Sequence, residues 1–167
     1  EWPTIGGEIC LSYVCKPANA GNEPLPAVIC LSGTGGDRIV LTSEEYGILP
    51  YTSIGRDNPH KRLHGWASEL ARRGYVTLSL TQRGLGDRRR PGGSISKTLM
   101  LRGEHFQGHQ AYEIRQALTY LASRKDVDGA RIASTGMSFG GITTFFATGT
   151  DSRFKAAAPL CGGVGSY

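Results

Sequence analysis

No apolar run among these 167 residues is long enough to cross a bilayer, which excludes a membrane-spanning helix within them. Charge of one sign is not in large excess: 19 Lys and Arg against 14 Asp and Glu leave +5, too mild a balance for a nucleic-acid binder. Cysteine is scarce. Cys10, Cys15, Cys30 and Cys161 have no metal-type spacing, so no metal site is expected of them. They read as thiols acting as small hydrophobes rather than as a disulfide framework, with Cys10 and Cys15 on opposite faces of one strand. The redox compartment stays open, a secreted or periplasmic location weighed slightly above a cytoplasmic one. There is no internal repeat and no low-complexity tract. An initiating Met is also lacking, and the Gly-rich stretch Cys161 to Tyr167 directly follows an apolar run. The chain is therefore expected to be a fragment: residues 1–167 as the N-terminal part of a single domain.

What the chain has in quantity is glycine, 24 residues, set between short apolar segments. Glu8 to Cys15 is β-rich. Ala27 to Leu31 is an uninterrupted apolar run, as in a strand buried on both faces of a parallel sheet. Leu63, Trp66, Ala67, Leu70 and Ala71 recur at helical spacing, and Gly74 closes that helix after two arginines. Tyr75 to Leu80 reads as a strand and Arg83 to Gly103 as a loop. A second helix is predicted from about Gln110 to Arg124, then a turn at Asp126 to Gly129 and a short strand at Arg131 to Thr135. Helix-like residues run to about Ala147, and Phe154 to Leu160 gives a last strand. Strands alternating with helices predict an α/β fold, a doubly wound, mostly parallel sheet.

Gly136-Met137-Ser138-Phe139-Gly140 matches G-x-S-x-G between a predicted strand and a predicted helix. In that setting the serine lies on a strained turn that lifts its hydroxyl above the sheet edge. Gly136 and Gly140 are required because side chains there would collide. The following helix aims its free N–H groups and positive end at the reacting oxygen, and the Phe139 N–H is placed to hold an oxyanion. The plainer reading makes Ser138 a helix N-cap in a Gly-rich turn. Ser32-Gly33-Thr34-Gly35-Gly36 follows the first buried strand, where a second oxyanion donor belongs: Thr34 first, Gly33 next. A phosphate loop is excluded there, since no Lys-Ser/Thr follows.

Four segments, Pro26 to Asp37, Gly65 to Asp87, Tyr112 to Arg131 and Ile132 to Gly162, together resemble the front part of the α/β-hydrolase fold. Within it the likeness is to the dienelactone-hydrolase and acetyl-xylan-esterase-like branch. The resemblance implies a sheet cut off after the strand that follows the nucleophile helix. It also implies a serine esterase that works through an acyl-enzyme on small acyl esters, acetylated sugars or lactones. A small-molecule ester is then the only partner implied, with no nucleic acid, membrane or cofactor. The triad should continue with an Asp or Glu and then a His, yet after Ser138 the only acid is Asp151 and no His follows. The chain alone is thus expected to be inactive. Two departures concern loop anchoring: Ser32 where many relatives carry His, and Gln82 where they carry Asp before Arg83-Gly84. A prolyl-oligopeptidase-type serine peptidase shares the elbow and the residue order. A non-catalytic binding domain of the same fold is the reading from another class.

Other polar residues have less to do. His60, His64, His105 and His109 precede the elbow; His60, His105 and His109 are candidates for the pocket wall rather than for the base. Phe106 and Gly108 argue against a zinc site at His105 and His109. Arg83, Arg88, Arg89, Arg90, Lys97 and Arg102 read as a solvated loop, and Trp66 as core.

Overall fold

The computed structural model describes residues 1–34, 36, 38, 42, 65–89 and 95–162. The chain opens with two short strands, β1 (Trp2–Pro3) and β2 (Ile9–Cys10), paired antiparallel around a 3-10 turn at Ile5–Gly7. Among the described residues the main sheet has five strands: β3 (Ser12–Cys15), β4 (Leu25–Leu31), β5 (Val76–Leu80), β6 (Val127–Met137) and β7 (Phe154–Leu160). Their order across the sheet is β3-β5-β4-β6-β7, and only β3 runs antiparallel to its neighbour. The helices are α1 (Trp66–Arg72), α2 (Ile95–Met100), α3 (Phe106–Ala122) and α4 (Phe139–Gly149).

Alternation along β4 explains the layering. Ala27, Ile29 and Leu31 pack with Ile114, Ala117, Leu118 and Leu121 of α3 and Ala147 of α4. Val28 and Cys30 face the other way, against Ala67, Leu70 and Trp66 of α1. A strand covered on both faces has no polar side, which is why its sequence is unbroken apolar. Each fully buried Leu or Ile there contributes about 1.5–3 kcal/mol. β5 shares this arrangement, with Thr77 using its hydroxyl to donate to Ala67 O at 3.0 Å. The doubly wound, mostly parallel α/β sheet read from the sequence is the fold of this chain.

Several local readings change. The stretch from Arg83 to Gly103 is not all loop: it holds a 3-10 turn at Gly86–Arg88 and α2, whose sole buried residue is Leu99. A single buried position leaves no periodic stripe to read. β6 begins at Val127 and runs through the expected turn, absorbing the extra residues as an irregularity in its pairing with β4. Cys10 and Cys15 belong to separate strands; Cys10 and Cys30 are buried, Cys15 is half-buried and Cys161 is exposed, and none of the four is in a disulfide.

The basic stretch is corrected most. Arg83 and Arg88 are not solvated: their side chains are 5% and 6% exposed, and both bond Glu113 of α3. Arg83 Nε donates to Glu113 Oε1 at 3.0 Å and Arg88 Nη1 to Glu113 Oε2 at 2.6 Å. Arg88 also reaches Glu8 at 3.1 Å, and Arg83 donates to the carbonyl of Ile5 at 2.6 Å. These guanidiniums are neutralised by carboxylates distant in sequence and so can leave water. Arg89, Lys97 and Arg102 are exposed as expected, while Arg90 lies outside the described residues.

Candidate active site

β6 carries the chain to the C-terminal edge of the sheet and α4 starts one residue later, so Ser138 occupies the whole connection. It is exposed, and its backbone stands at φ 54°, ψ −115°, a conformation that L-residues rarely adopt. Two backbone bonds pin it. The Ser138 N–H donates to Leu160 O of β7 at 2.8 Å, and Ile142 N–H donates to Ser138 O at 3.0 Å. Since the latter is the first bond of α4, the N–H groups of Phe139, Gly140 and Gly141 have no acceptor within the helix. Ser138 Oγ has no hydrogen-bond partner among the described residues.

The glycines behave as the motif requires. A methyl group on Gly136 would overlap Gly140 O, and one on Gly140 would overlap Leu31 O and lie 2.6 Å from Ser32 O. The loop after β4 is therefore in contact with the elbow. A methyl on Gly33 would lie 3.4 Å from Met137 O and 3.6 Å from Ser138 Cβ. Gly33 is buried and Thr34 is exposed beside it. Neither N–H of this pair has a partner among the described residues. The elbow thus gathers Ser138 and the helix-start amides with Gly33 against them, a constellation suited to a serine nucleophile and an oxyanion.

Residues 66–164, more than half of the chain, match the model of the prolyl oligopeptidase family. The chain belongs to the prolyl oligopeptidase family. This family member is 32% identical over 160 residues to YtaP of Bacillus subtilis (strain 168), a protein named as a hydrolase. That match takes in 95% of the chain and 50% of YtaP, so the chain spans about half the length of this curated relative. It is similar in fold to the acetyl xylan esterase from Paenibacillus sp. R4, with TM-score 0.65 and 24% identity, over 94% of this chain and 46% of that one. Porphyromonas gingivalis dipeptidyl peptidase 4 is similar too, with TM-score 0.62 and 21% identity, over 93% of this chain and 19% of the peptidase. Together these place the chain in the α/β-hydrolase superfamily.

In this prolyl oligopeptidase family member two of the other polar candidates, His109 and Asp151, are occupied by other groups. His105 is exposed at the N-cap of α3, and His109 is buried one turn later with Nε2 against Glu104 Oε2 at 2.5 Å. The ring of Phe106 packs on Phe139 at 5.9 Å, which brings the start of α3 beside the elbow. His60, like His64, lies outside the described residues. Asp151 is committed elsewhere. It accepts from Arg153 at 2.7 Å and Arg115 at 3.2 Å, and these bonds, Arg153 first, hold its carboxyl well below the usual carboxylate range. Among the described residues no group of three or more His, Cys, Asp or Glu is arranged to hold a metal. A cavity of about 590 Å³ lies between the N-terminal strands and α3, lined by Trp2, Tyr112, Arg115, Tyr120 and Arg153. Ser138 is not in its wall: Arg153 precedes β7, which runs parallel to β6, so the cavity reaches the sheet edge opposite the elbow. Gln82, whose amide donates to Ser32 O, and Gln110 of α3, whose amide donates to Arg83 O, are both buried, and no motif marks either contact.

Proposed function

We propose that this chain supplies the nucleophile and the oxyanion donors of a serine carboxylic-ester hydrolase acting through an acyl-enzyme. The observation that carries the reading is Ser138 itself, exposed, strained at φ 54° and set between the end of β6 and the free amides of α4. Ser138 Oγ attacks the ester carbonyl; the amides of Phe139 and Thr34, with Gly33 as the alternative to Thr34, hold the resulting oxyanion. A strained non-glycine residue at this point is hard to account for in a binding domain without catalysis. The acid and the His that complete the triad are assigned to residues of the longer protein, in which the chain forms the front part of a single domain. Small acyl esters such as acetylated sugars are the proposed substrates, a choice supported by the fold likeness to an acetyl xylan esterase.

A second reading rests on its own observation. The matching family model, and the likeness to a dipeptidyl peptidase, favour a serine peptidase with the same nucleophile. One experiment separates the readings. The full-length protein is treated with a fluorophosphonate probe, then assayed on acetylated oligosaccharides and on dipeptidyl amides. Labelling that is lost in Ser138→Ala, with ester but not amide turnover, is expected. Amide turnover would move the assignment to the peptidase. Equal labelling of Ser138→Ala would remove Ser138 from the mechanism.

A further inference from the structure

We infer that Gln82 is a positioning residue for the oxyanion amides. The inference rests on the reading of Ser138 as nucleophile.

Gln82 follows β5 by two residues and is 1% exposed. Its Nε2 donates to Ser32 O at 2.7 Å, across 50 residues of sequence. The same carbonyl oxygen would lie 2.6 Å from a methyl group on Gly140. Ser32 O is thereby caught between the Gln82 amide and the backbone of the elbow helix. Peptide planarity turns this into an aiming device. The Ser32–Gly33 bond is trans, so a carbonyl held toward Gln82 sends the Gly33 N–H in the opposite direction. The next peptide is fixed likewise: Gly36 N–H donates to Gly33 O at 3.0 Å, which turns the Thr34 N–H away from Gly36. Both carbonyls of the loop are occupied, both amides are without a partner among the described residues, and Gly33 lies against Ser138.

Gln82 is the only side chain among the described residues that holds the first of these carbonyls. A second buried amide braces the same corner. Gln110 of α3 donates to Arg83 O at 3.4 Å and accepts from Thr143 Oγ1 of α4 at 3.2 Å. The residue next to Gln82 is thus tied to the helix that begins at the nucleophile. Gln82 touches neither substrate nor Ser138 in this arrangement; it acts through the loop.

The test uses the full-length protein with Gln82→Met, which conserves volume and removes the donor, and Gln82→Glu, which replaces the donor by a carboxylate facing Ser32 O. Removing an oxyanion donor outright lowers kcat by about 10²–10³; mis-aiming one is expected to cost about tenfold to a hundredfold. KM should stay within about twofold, and a boronate that mimics the tetrahedral state should weaken by the same factor as kcat. Gln82→Asn, which keeps an amide on a shorter stem, should recover part of the loss. Active-site titration with the phosphonate counts folded sites, so kcat is expressed per competent serine. An unchanged kcat per site, or a loss confined to KM, would overturn the inference while leaving Ser138 in place. Failure of all three variants to fold would assign Gln82 to the fold alone and overturn it too. If Ser138→Ala reacts like the parent protein, the reading of the nucleophile fails first, and that result is distinct from the others.

Discussion

Ser138 stores backbone strain, and the nucleophile role proposed for it requires that strain. Holding a non-glycine residue at φ 54°, ψ −115° costs about 1–3 kcal/mol. Glycine relieves this because it has no Cβ, whereas alanine does not. Ser138→Gly should therefore raise the melting temperature by several degrees, and Ser138→Ala should leave it nearly unchanged. Both remove phosphonate labelling. Scanning calorimetry of the two variants checks the difference; equal melting temperatures would mean the elbow carries no strain. The two buried thiols make a second residue-scale test. Burial pushes the Cys10 thiol up from 9.0 to about 12, and burial chiefly, then Cys15, drives Cys30 higher. In the unfolded chain both ionise near the ordinary value, while the folded chain keeps them protonated. The unfolded state then binds fewer protons, so stability is whole below about pH 9 and falls as pH rises toward 12. The slope is about 1.4 kcal/mol per pH unit for each thiol. Urea midpoints at pH 8 and pH 10 should show it, and the Cys10→Ala/Cys30→Ala double variant should lose that slope.

At the scale of elements, one carboxylate joins three of them. Glu113 of α3 pairs with Arg83 and Arg88 after β5, and Arg88 and Arg83 also reach Glu8 and Thr4, which flank the 3-10 turn between the N-terminal strands. Burial alone would lower the Arg88 pKa, but its bonds to Glu113 and Glu8 outweigh that and leave it raised. Glu113→Gln leaves two buried cations to share Glu8 and should cost about 3–5 kcal/mol. Hydrogen exchange should quicken first in Trp2 to Cys10, whose anchors these arginines are. Glu69→Gln on α1 is the control: its pairs with Arg72 and Arg73 are exposed, and the urea midpoint should not move. The sequence made β4, β5, α1 and α4 legible, because each has a burial pattern of its own, and β7 by its short apolar run alone. It hid the arginine cluster, because Glu8 and Glu113 lie far from Arg83 and Arg88 in the chain and no local pattern links them. The same blindness applies at the site. Ser32 and Gln82 each stand out alone as departures from their relatives; the structure makes them one contact, amide to carbonyl. Ser138, Gly136 and Gly140 were readable because a tight turn imposes local spacing, whereas the aim of a loop amide depends on a side chain 50 positions away.

For the molecule as a whole, the two edges of the sheet are unlike. β3 is last on one side, with α1 in contact with it and Val14 packed on the main core. Among the described residues β7 is last in the other direction, and Lys155 to Leu160 are all exposed, Leu160 by 53%. Ala156, Ala157 and Ala158 offer neither charge nor bulk to turn away another strand; Lys155 and Pro159 do so only at the ends. An edge of this kind pairs with whatever strand it meets. In a longer protein of the length of YtaP, the next part of the chain is the proposed partner, which makes the sheet of one domain continuous through β7. The 167-residue chain expressed by itself should instead associate with itself as concentration rises. Light scattering on a sizing column, from micromolar upward, should show mass increasing, and Ala157→Lys should hold the chain monomeric by placing an unpaired charge on the edge. The full-length protein should show no response to Ala157→Lys in association, only a loss of stability as the lysine is buried. A 167-residue chain that stays monomeric without the lysine would mean that its β7 edge is closed from within the chain, and the continuous-domain proposal would fall with it.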